Sequence, residues 1–72
     1  MKQKFNLSRS ELNNLIEEWI LDDRDAKIMR LRLLHSKTYE EISEIVDMST
    51  RQIGRIIPKQ IQHLMKHGLK VI

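Results

Sequence analysis

Arg51 and Arg55 stand four residues apart, with Thr50 and Gln52 on either side of the first and Lys59 and Lys66 further along. A guanidinium carries only N–H donors, arranged as a fork that fits the paired acceptors O6 and N7 of guanine. A carboxamide joins a donor to an acceptor and so matches adenine. On a helix the two arginines lie one turn apart, and Ile53 and Ile57 take the opposite side. These residues therefore offer hydrogen bonding to base edges, with Thr50, Arg51, Gln52 and Arg55 as the candidate readers. Ser49 and Thr38 each sit where a helix begins, and the free amides of a helix start favour a phosphate. With Lys37, Lys59 and Lys66 they are the candidates for sequence-blind backbone contacts. Two plainer readings stand beside these: the arginines as ordinary surface charges, and Gln52 as a helix cap alone.

Other chemistries find less support. His63 and His67 are four residues apart, a spacing that can hold a metal, but no third ligand with sensible spacing accompanies them. No metal or other cofactor is expected, and the two imidazoles read as exposed groups. The acid pairs Glu17–Glu18, Asp22–Asp23 and Glu40–Glu41 are sequence neighbours. On a helix such neighbours point about 100° apart, which makes poor catalytic pairs. There is no nucleophile beside a base and no glycine-rich phosphate loop, so an enzyme is not expected.

The elements that must position the basic residues can be read from their starts. Ser8–Glu11, Thr38–Glu41 and Ser49–Gln52 each form the Ser/Thr-x-x-Glu/Gln pattern of a capping box. The first helix, 8–21, carries Leu12, Leu15, Ile16, Trp19 and Ile20 at helical spacing, with Leu7 as a staple to Leu12 and Trp19 read as core. A support helix over 24–34 buries Ile28, Leu31, Leu34 and part of Met29. Residues 38–57 form a helix-turn-helix. Ile42, Ile45 and Val46 face inward on its first helix, and Ile53, Ile56 and Ile57 on its second. Ser43 is small enough for a steep helix crossing, and Met48 reaches back between the two helices. Tyr39 is either a packing residue or a phosphate donor. Pro58 lacks an N–H and clashes with the carbonyl of Gly54, so the second helix either kinks there or ends by Ile57. The adopted reading ends it, with Pro58 opening a last helix over 58–67, striped by Ile61, Leu64 and Met65 and capped by Gly68. The tail from Gly68 to Ile72 is then frayed or used in an interface. The fold class is all-α: one small domain over 1–72, with four to five helices.

Charge and length agree with a binding module. The chain has 72 residues, no cysteine and a net charge of +3. All ten acids lie at or before Asp47, and a wholly basic end follows. A basic block on the second helix of such a motif is a phosphate-facing surface. A core this small needs close helix packing or a partner subunit. The absence of cysteine, of an apolar leader and of a membrane-length apolar run fits a cytoplasmic protein.

Three stretches carry a family resemblance: Arg24-Asp25-Ala26-Lys27-Ile28-Met29-Arg30-Leu31-Arg32, Thr38-Tyr39-Glu40-Glu41-Ile42-Ser43-Glu44-Ile45 and Met48-Ser49-Thr50-Arg51-Gln52-Ile53. Together, over about residues 24–66, they resemble region 4 of bacterial sigma factors and the stand-alone sigma-like proteins of phages and mobile elements. The resemblance implies a transcription regulator that places the helix from Ser49 in the major groove of double-stranded DNA. It also implies RNA polymerase as a partner. A homodimer through the N-terminal helix or the Leu64–Leu69–Ile72 end would serve equally well as a second binding unit. The chain departs from the family at the turn, where Asp47 replaces the usual glycine, and at Pro58. It lacks the parts a complete sigma factor needs to open a promoter. A rival reading is a module that docks on RNA polymerase or another regulator without reading DNA.

Overall fold

The computed structural model describes residues 5–72, and residues 1–4 of the expected 1–72 domain lie outside the described residues. Four helices follow one another: α1 (Arg9–Trp19), α2 (Asp23–Leu33), α3 (Tyr39–Val46) and α4 (Thr50–Met65). Each begins where a side-chain oxygen can take an orphan backbone N–H. Ser8, Thr38 and Ser49 make complete capping boxes with Glu11, Glu41 and Gln52. Asp22 caps α2 by accepting from the Asp25 N–H at 2.9 Å.

Leu12, Ile16, Ile20, Ala26, Ile28, Met29, Ile42, Ile53, Ile57, Leu64 and Leu69 form one wholly apolar core. Two polar ties lock the helices around it. Arg30 Nε donates to Asn13 Oδ1 at 2.8 Å, joining α2 to α1, and Gln60 Nε2 donates to Asp25 Oδ2 at 3.0 Å, joining α4 to α2. Arg9 donates to the Leu34 carbonyl beyond the end of α2.

The expected break at Pro58 does not occur. α4 runs unbroken through it, so there is no separate helix over 58–67. Ile53, Ile57 and Leu64 are buried on both sides of the proline, while Pro58 itself is exposed. One apolar stripe thus anchors the helix before and after the ring. The carbonyl of Gly54 loses its usual donor, and glycine at that position brings no side chain of its own to crowd the ring.

Other inward assignments are also corrected. Ile45 and Met65 are exposed, because Tyr39, Ile42 and Val46 already define the packed side of α3, and Ile57 and Leu64 that of α4. Leu31 and Leu34 are only half-buried. Trp19 is not in the core: its ring lies at the surface, stacked on His67 with centroids 3.6 Å apart.

The C-terminal tail is neither frayed nor free. Gly68, at φ +117°, turns the chain so that the Leu69 N–H donates to the Leu64 carbonyl at 3.1 Å and the Leu69 side chain enters the core. The next residues pair with the N-terminal segment. Asn6 N–H donates to the Lys70 carbonyl at 3.0 Å, Lys70 N–H to Asn6 Oδ1 at 2.8 Å, and Phe5 bridges Val71.

Candidate nucleic-acid interface

α3 and α4 are joined through Asp47, Met48 and Ser49. Asp47 adopts the left-handed conformation, φ 55° and ψ 50°, as the substitution for a turn glycine requires. The N–H groups of Asp47 and Met48 both reach the Ser43 carbonyl, closing α3 within one turn. Met48 is half-buried against the core, where it was expected.

With Ile53, Ile57 and Leu64 inward, about 100° per residue places Arg51, Arg55, Lys59 and Lys66 within one sector of roughly 80°. All four are exposed. The continuous helix therefore extends the basic stripe over roughly 22 Å, further than a helix ending at Ile57 could. The one ion pair among the described residues joins Arg24 Nε to Asp25 Oδ1 at 3.9 Å, so Arg51 and Arg55 are not spent on the protein's own acids. Glu40, Glu41 and Glu44 lie exposed on α3.

Thr50 is exposed at the first turn of α4. Gln52 is exposed too, but its Oε1 accepts from the Ser49 N–H at 3.1 Å and lies 3.2 Å from the Ser49 hydroxyl. Its cap role is thus real, and only its amide N–H groups remain free. Ser49 and Thr38 hold their capping positions at the two helix starts.

Lys37 is half-buried in the α2–α3 loop. The Thr38 backbone N–H and then the Thr38 hydroxyl hold the Glu41 carboxyl below its ordinary value, and the Lys37 charge adds a smaller share. Glu11 is lowered in the same way by the Ser8 N–H and hydroxyl.

The Tyr39 ring packs beside Gly54, with Cε2 3.8 Å from where a Cβ would stand. Arg32 joins this surface although its sequence spacing does not mark it. Its guanidinium lies 4.9 Å above the Tyr39 ring and donates to the Lys37 carbonyl at 2.9 Å, which brings another cation beside Thr38. The only signal was its place in the last turn of α2, next to the loop. Tyr39 is therefore a packing platform. His63 and His67 are drawn towards α1: His63 Nε2 lies 2.9 Å from the Trp19 carbonyl, and the two imidazoles meet edge to face. They are partly covered, not exposed as expected. Among the described residues no group of three or more potential ligands could hold a metal, and no helix is long and apolar enough to cross a membrane.

A short capped helix, a left-handed turn residue and a second helix with an outward basic stripe define a helix-turn-helix domain. The family model described as sigma-70, region 4 matches residues 20–66, well over half of the 72. The chain belongs to that family, and so to its DNA-binding helix-turn-helix domains. α1 and the residues after Lys66 lie outside the match. No curated protein and no solved structure matches the chain closely enough to add to this.

Proposed function

We propose that the protein is a sequence-specific DNA-binding regulator of transcription, with α4 as the helix that enters the major groove. The observation that carries this reading is the exposed stripe of Arg51, Arg55, Lys59 and Lys66 on the second helix of the motif, without an ion pair among the described residues. Arg51 and Arg55, one turn apart, are suited to base edges, and Thr50 and the free amide N–H groups of Gln52 flank them. Lys59 and Lys66, further along, suit phosphates, as do Lys37, Arg32 and the α3 start at Thr38. The chain acts by binding and not by catalysis, and its working place is the cytoplasm. One such module makes a small interface. RNA polymerase or a second copy of the chain supplies the remaining affinity.

Titration of a fluorescent duplex at several salt concentrations tests this. Affinity should fall steeply as salt rises, and Lys59→Ala should flatten that slope by about one unit while weakening all sequences alike. A second reading, docking on RNA polymerase without reading DNA, draws on Ile45, exposed among Glu41 and Glu44 on α3. It prevails if no duplex binds at low salt while polymerase is still retained.

A further inference from the structure

Taking α4 as the recognition helix proposed above, we infer that its target is built on two neighbouring G·C base pairs, one read by Arg51 and the other by Arg55, and that Gln52 reads no adenine. Each base edge in the major groove asks for its own partner. Guanine presents two acceptors, adenine an acceptor with a donor, cytosine a donor, and thymine an acceptor beside a methyl group.

The groups on α4 meet few of these demands. Every acid of the chain lies at or before Asp47, so α4 brings no carboxylate to accept from cytosine. Adenine needs a group that both donates and accepts, and the amides of α4 are Gln52, Gln60 and Gln62. Gln60 is tied to Asp25 on α2 at 3.0 Å. Gln62 lies seven residues past Arg55, roughly 10 Å further along the helix. Gln52 is at the right height, but its one acceptor oxygen is held by Ser49 at 3.1 Å from the backbone N–H and 3.2 Å from the hydroxyl. Turning it to adenine would release the cap that starts α4.

Arg51 and Arg55 are different. Both are exposed, and neither has a hydrogen-bond or ion-pair partner among the described residues. A guanidinium has donors only, and guanine is the base whose edge offers two adjacent acceptors to them. In zinc-finger helices, side chains three residues apart meet successive bases, and Arg51 and Arg55, about 6 Å apart along α4, have a comparable reach. Arg51 and Arg55 therefore fall on adjacent base pairs. Thr50, whose hydroxyl and methyl suit several edges, adds to the site without altering that pair.

Selection of bound duplexes from a random pool, run with the full chain and its variants, tests the assignment. The enriched sites should share two adjacent G·C pairs. Arg51→Ala should relax the preference at one of them and Arg55→Ala at the other, each on the order of 5- to 150-fold. Gln52→Ala should remove no preference for adenine from the enriched motif. Gln52→Glu, which keeps the capping box but has no amide donor, answers the same question if the alanine variant does not fold. Enriched sites without adjacent G·C pairs, or a Gln52 variant that erases an adenine, overturn the assignment while DNA binding itself stands. A chain that retains no duplex at low salt removes both.

Discussion

Asp47 and Gly68 both hold positive φ angles, 55° and 117°, but only one of them is glycine. The left-handed region crowds any Cβ against the backbone. Asp47→Gly should therefore stabilise the fold by up to about 1 kcal/mol, less the extra freedom glycine gives the unfolded chain. Gly68→Ala should destabilise it by about 1–2 kcal/mol even though open space surrounds the new methyl group, because the cost lies in the backbone. Urea denaturation of the two variants measures both signs.

Titration at the caps gives a second residue-scale expectation. Glu11 and Glu41 are held below the ordinary value of 4.5 by the N–H and hydroxyl of their cap partners. A carboxylate whose folded pKa is depressed adds stability that is present above the ordinary value and is lost as pH falls through the folded one. Helix content followed by circular dichroism should thus decline at acid pH, and Glu11→Gln with Glu41→Gln should flatten that decline. The box of α4 closes with Gln52 and does not titrate.

At the scale of elements, local signals proved readable and distant ones did not. The capping boxes at Ser8, Thr38 and Ser49 lie where their spacing predicts, because a cap involves residues three apart in the chain. The left-handed Asp47 was legible from the resemblance, which puts a glycine at that turn where this chain has an aspartate that tolerates the conformation. The first turn of α2 was read too late, since Asp22 caps it without a glutamate or glutamine three residues on. Pro58 misled because local sterics argue for a break, while the outcome depends on Ile57 and Leu64 finding the same core from both sides of the ring. In the interface, the exposed arginines were legible from periodicity and the Gln52 cap from its spacing to Ser49, whereas the Arg32–Tyr39 stack needed coordinates. Pro58→Ala restores the missing N–H to Gly54 and should stabilise α4 by about 1–3 kcal/mol, read as a higher urea midpoint with an unchanged slope.

At the scale of the whole molecule, the family region is held by parts outside it. α1 lies before the matched residues, and the turn and tail beyond Lys66 lie after them. They meet through Trp19 on His67 and through Asn6 on Lys70. His67→Ala removes the stacked ring, should cost about 0.5–1.5 kcal/mol, and should shift the emission of the single tryptophan towards that of an exposed indole. An unchanged spectrum would argue that Trp19 does not rest on that imidazole.

The bridge between Phe5 and Val71 brings the first and last segments of the described residues side by side. A short peptide joining them would close the polypeptide into a ring with little distortion of the pairing already present. Such a cyclic form starts its refolding from a smaller set of open conformations and should melt at a higher temperature than the linear chain. Opening the ring again within the Ser36 loop would give a permuted protein whose first helix is α3, so that the order of synthesis and the order of packing can be separated.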